Sequence, residues 1–116
     1  MNFKENSKMS KNSKYESLNE SMERHKADLE IVHNRTMTLK EHFNNVYGKL
    51  NDIYRDHPDY FDNGFMLVDF DSAMGRPSSF DALVARTEQL DRASRQYVKM
   101  MCQYGKLKDS HPDIFE

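Results

Sequence analysis

Apolar residues recur along the first half of the chain at Leu18, Met22, Leu29, Val32, Leu39, Phe43, Val46, Leu50 and Ile53, and with His25 and Thr36 the steps alternate four and three. That rhythm is a heptad stripe sustained over about five repeats. Neither proline nor glycine interrupts it before Gly48, and Glu16, Glu20, Glu23, Arg24 and Lys26 fill the other faces. The pattern predicts a helix over about 15–56, roughly 60 Å long at 1.5 Å per residue. Ser13 or Ser17 is its expected cap, the latter at capping-box spacing from Glu20.

The stripe stops at His57-Pro58, where proline lacks an amide proton and forces the preceding residue out of helical geometry. A second stripe, Phe80, Leu83, Thr87, Leu90, Ser94, Tyr97, Met101 and Tyr104, predicts a helix over about 79–108 capped by Ser78 or Ser79. Residues 57–78 read as a connector, with a turn at Asp62-Asn63-Gly64, an extended run from Phe65 to Phe70 and a breaker at Gly75-Arg76-Pro77. A lone strand finds no partner in the chain, so the run is expected to close a hairpin tip or to pair with another chain's edge.

The expected fold is therefore all-α: a long antiparallel, coiled-coil-like helical hairpin with an extended aromatic-acidic connector. Because the second helix is shorter by about ten residues, it covers the first only back to about residue 26. Leu18 and Met22 are left over, and a homo-oligomer completing a bundle is the simplest cover for them.

Composition sharpens this picture. With 37% hydrophobic and 31% charged residues among 116, one domain of thin helices fits better than a thick core. A net charge of -2, from 17 basic and 19 acidic residues, favours neither a dedicated nucleic-acid binder nor an acidic mimic. Residues 1–14 differ: Lys4, Lys8, Lys11 and Lys14 stand among serines and asparagines, which reads as a flexible basic arm. Residues 15–116 form the expected domain, ending in a C-terminal peptide at 109–116. Cys102 is the only cysteine, which excludes an internal disulfide, and no apolar run suits a signal peptide or membrane span. A reducing, cytoplasmic setting is expected, or incorporation in a virion or other intracellular assembly, with no membrane association.

Several motifs invite chemical readings. Tyr47-Gly48-Lys49-Leu50-Asn51-Asp52 with His57-Pro58-Asp59-Tyr60-Phe61-Asp62 recurs as Tyr104-Gly105-Lys106-Leu107-Lys108-Asp109 with His111-Pro112-Asp113-Ile114-Phe115-Glu116. Two similar helix stops account for the echo, glycine loosening the last turn and proline ending it; a duplicated helix unit is the alternative. The run from Tyr47 to His57-Pro58-Asp59 resembles the signature of J-domain co-chaperones, which implies stimulation of an Hsp70 partner. It departs from that family in the length of the preceding helix, the missing basic face and the acidic loop that follows.

Phe65 to Ser72 resembles the strand and Asp-x-Asp of haloacid-dehalogenase-type phosphatases, which implies a metal-dependent nucleophile at Asp69 and an acid/base at Asp71. The parallel sheet that such a site needs is not predicted. From Asp69 the EF-hand pattern fails, because Ala73 and Met74 take its fifth and sixth positions. Glu30 and His33 have a metal-ligand spacing, but both lie off the stripe and the second helix offers no histidine. His25, on the stripe, invites a pH-sensitive contact or simple solvation. The end, Asp113-Ile114-Phe115-Glu116, has the character of a linear docking peptide.

The sequence thus predicts a non-enzymatic protein-interaction protein, an adaptor, assembly factor or inhibitor of phage or mobile-element character. It is expected to need no cofactor or metal and to touch its partner through Leu18, Met22, Phe65, Met66, Phe70 and Phe115. The alternative is a nucleic-acid-associated accessory protein using Lys4, Lys8, Lys11 and Lys14.

Overall fold

The computed structural model describes the backbone of residues 3–115 and the side chains of 16–115. Three helices carry the chain: α1 (Phe3–Asp56), the short α2 (Phe70–Met74) and α3 (Ala82–Ser110), with single 3₁₀ turns at Pro58–Tyr60 and Pro112–Phe115. The molecule measures 81 × 28 × 16 Å, and its radius of gyration is 23.2 Å. A compact domain of this length would have a radius of about 13 Å. The fold is a rod.

α1 extends the expected helix at its start. It runs through Ser13 and Ser17, so neither is its cap. The expected flexible arm falls on this stretch; the side chains of Lys4, Lys8, Lys11 and Lys14 lie outside the described residues. At the other end, His57 N–H donates to Ile53 O at 2.7 Å, and Pro58 opens the 3₁₀ turn.

α3 begins at Ala82 because Asp81 is its cap, its carboxylate accepting from Val84 N–H at 3.0 Å. Ser78 is engaged elsewhere: its N–H and Oγ donate to Glu88 at 2.9 Å. From Phe65 to Asp69 the connector has no regular secondary structure, and no strand occurs among the described residues. With no neighbouring strand to receive its backbone, the extended run gives way to α2 as Asp69 caps it, accepting from Ser72 N–H at 3.0 Å.

α1 packs against α3, but not as an antiparallel hairpin. Leu90 and Ser94 of α3 share a shallow groove with Ile31, Leu39 and His42 of α1. Further along, Lys49 Nζ lies 5.7 Å from the Tyr104 ring, and at the ends His57 and His111 stack on either face of Tyr60. Positions rise together, so the two helices run parallel.

The connector makes this possible by returning the whole length of α3 in the opposite sense. Asp62 N–H donates to Gln103 Oε1 at 3.1 Å, Gln96 donates to Met66 O at 3.0 Å, Gln89 to Gly75 O at 2.8 Å and Arg92 to Arg76 O at 2.6 Å. A heptad stripe is blind to helix direction; connector length decides it. About 25 residues between α1 and α3 span more than the roughly 43 Å that α3 occupies.

The core sits between α1, α2 and α3. Phe43, Leu50, Ala93, Met100 and Leu107 are fully or almost fully buried, with Phe70 beside them at 4% exposure. Phe70 meets Phe43 edge-on at 5.3 Å between ring centres. Thr36, a polar stripe position, is buried without needing an interhelical partner because its Oγ donates to Val32 O at 2.7 Å.

Candidate interaction surface

Parallel packing brings the C-terminal ends of α1 and α3 flush, so α3 starts beside about residue 28 of α1. Everything before that projects alone. The apolar stripe continues onto this projection: Leu18 is 61% exposed and Met22 57%. His25, on the same stripe, is also exposed. Glu16, Glu20, Glu23 and Arg24 line a shallow depression on another face of the helix, and Lys26 lies 3.8 Å from Glu23. Where α3 begins, Phe80 stands fully in solvent and Ile31 and Val84 are about half exposed.

The remaining contact residues expected from sequence divide. Met66 is 72% exposed on the connector and Phe65 is half-buried, packing on Phe61. Phe70 does not belong to the surface; it faces inward as the aromatic that seats α2 on Phe43. Phe115 is not a free end either, since its ring packs edge-on against Tyr104 at 5.1 Å and Lys108 Nζ lies 5.9 Å above it. These six residues therefore do not form one patch: Leu18 and Met22 lie on the projection, the others along the paired half.

Between the connector and α3 runs a shallow groove lined by Asn63, Gly64, Phe65 and Met66 on one side and Gln96, Lys99, Cys102 and Gln103 on the other. Gln103 is buried with its Nε2 unpartnered, while its oxygen holds the Asp62 amide. Lys106 donates to Asp62, and this contact raises the lysine pKa above its ordinary value. Hydrogen bonds from Ser78 lower the Glu88 carboxyl pKa in the same way. These groups fasten the connector. Cys102 is exposed.

The motifs that invite chemical readings have structural employment. Asp69 caps α2, and its pKa is lowered by the hydrogen bonds from Ser72. Glu30 and His33 are both exposed on α1. Among the described residues no group of three or more His, Cys, Asp or Glu is placed to hold a metal ion, and no helix is long and apolar enough to cross a membrane.

The repeated Tyr-Gly-Lys-Leu and His-Pro-Asp segments gain a structural counterpart. His57 and His111 end their helices at φ/ψ of -138/65° and -136/60°. Their amides donate to Ile53 O and Leu107 O at the same 2.7 Å, and Tyr60 and Ile114 donate back to the histidine carbonyls at 3.1 and 3.2 Å. Gly48 and Gly105 sit inside the helices and terminate neither, contrary to the expected loosening. The stop is built at the His-Pro step, twice, side by side.

Sequence reasoning missed that the connector is a strap fastened along α3. Its signal was a polar stripe in α3, Gln89, Arg92, Gln96, Lys99, Gln103 and Lys106, with steps of three and four. Four of these make side-chain hydrogen bonds to connector backbone, and Lys106 pairs with Asp62. No protein-family model matches the chain, and no curated protein or solved structure is significantly similar to it.

Proposed function

We propose that the chain is a non-enzymatic protein-interaction module, acting as an adaptor, assembly factor or inhibitor, in which the paired half is a rigid base for a projecting helix that docks on protein. One observation carries this reading: the apolar stripe that is core along α3 continues, without a cover of its own, through Leu18 and Met22. Isolated exposed apolar residues are ordinary. Here they stand in register with a working core stripe.

Replacing both Leu18 and Met22 by aspartate is expected to leave the helical circular-dichroism signal unchanged and to abolish capture of protein partners from a host lysate. Undiminished capture by this double variant would remove the projection from the interface.

A second reading rests on Lys4, Lys8, Lys11 and Lys14, a basic cluster in a chain whose remaining residues are net acidic. Nucleic-acid binding through it would weaken steeply with salt and vanish on deleting residues 1–14.

A further inference from the structure

We propose that Cys102 is a modification site, which takes a mixed disulfide with a small acidic peptide thiol held in the groove between the connector and α3. The groove has a volume of about 510 Å³, within the range of roughly 300–1,000 Å³ for small-molecule sites. Cys102 lines it and is exposed, so the sulfur is open to a reagent. Gln103, beside it, lines the same groove at only 2% exposure, and its Nε2 has no acceptor while its Oε1 holds the Asp62 amide. A buried donor left without a partner is costly. A carbonyl or carboxylate oxygen of a bound peptide supplies the missing acceptor.

Charge selects the acidic class. Lys99 and Lys106 lie three residues before Cys102 and four after it on α3, so both share its face of the helix. Lys106 donates to Asp62, and its pKa is raised first by that contact and last by the Cys102 sulfur, which puts the thiol within electrostatic reach of the ammonium. Asp62 offsets that charge. Lys99 forms no ion pair among the described residues, so the lining holds two ammonium groups against one carboxylate, a net +1. Met66 and Val98, both well exposed, offer apolar contact to the methylene carbons of the thiol. The reagent is the oxidised disulfide. Cys102 Sγ attacks one of its sulfurs as a thiolate, the new S–S bond forms as the old one breaks, and the electron pair leaves on the second peptide thiol, which takes up the proton that Cys102 gave to solvent.

Intact-mass spectrometry of the folded chain gives its rates with glutathione disulfide, which is anionic, and with cystamine, which is cationic, each divided by that reagent's rate with 2-mercaptoethanol. The normalised rates are expected to favour glutathione disulfide by about fivefold, the worth of one opposite charge about 4 Å away in water. Lys99→Glu, a change at an exposed position, is expected to invert that preference. Equal normalised rates, a preference for cystamine, or a ratio unmoved by Lys99→Glu would overturn the proposal. Nitrogen-15 NMR reads the second contact. The Gln103 side-chain amide resonance is expected to shift when Cys102 carries glutathione and to stay in place when it carries a methylthio group; the same response to both would overturn the peptide ligand.

Discussion

Phe43→Ala is expected to cost about 3–5 kcal/mol of folding stability, the range for truncating a fully buried aromatic residue. Phe43 is completely excluded from solvent and belongs to the cluster that includes Leu50, Met100 and Phe70. Its ring also receives the Phe70 edge at 5.3 Å, an aromatic geometry worth roughly 0.5–1.5 kcal/mol beyond area alone. A chain of this length commands only about 6–17 kcal/mol in total, and in a rod with so few buried residues little material can collapse into the cavity. Urea denaturation followed by circular dichroism measures the change. Amide exchange should show α2 opening before α3, because Phe70 is the only buried residue of α2. A loss below about 1 kcal/mol would contradict the assigned packing.

Gly75→Ala is the second large effect, at about 1–3 kcal/mol. Gly75 has φ 67° and ψ -171°, a region that residues with a side chain scarcely enter. An added Cβ would also lie 3.2 Å from Arg92 Nη1, the atom that donates to Arg76 O. The substitution therefore strains the backbone where the connector leaves α2 and crowds a guanidinium that fastens the same stretch. Gly48→Ala is the matched control. Gly48 lies inside α1, and an added Cβ there meets nothing within 4 Å, so alanine should stabilise by about 0.5–1 kcal/mol. Thermal unfolding of the two variants should move in opposite directions; a shared direction would contradict the backbone assignment at Gly75.

Much of the architecture was legible because one kind of signal reports it. Steps of four and three placed α1 and α3, the proline rule placed the end of α1 to within a residue, and the length difference of the helices exposed the uncovered stripe. That last inference reached the right residues through the wrong topology. In either direction the longer helix overhangs by the same amount, so Leu18 and Met22 are left bare whether α3 runs up or down. Direction was hidden because an a/d stripe looks alike from both ends.

What fixes direction is polar and non-local. Gln89, Gln96 and Gln103 read as ordinary solvated glutamines in sequence, yet each holds the connector from its own turn of α3. Phe70 escapes sequence reasoning for a related reason. In an extended segment its ring is free to face outward, whereas the Asp69 cap starts a helical turn that rotates it onto Phe43. Phe115 reads as part of a free end because a His-Pro step signals only a stop; in the fold the step also turns the terminal peptide back onto Tyr104.

The parallel course of α1 and α3 is the claim on which the strap, the flush helix ends and the projecting helix all depend. Spin labels at Lys49→Cys and Lys108→Cys, in a Cys102→Ser chain diluted with unlabelled protein, test it in one distance. Both lysines reach the Tyr104 ring, at 5.7 and 5.3 Å, so the labels are expected within about 20 Å of each other, allowing for their linkers. An antiparallel hairpin would carry position 108 down beside about residue 30 and open that distance to about 30 Å, a result that would contradict the parallel course.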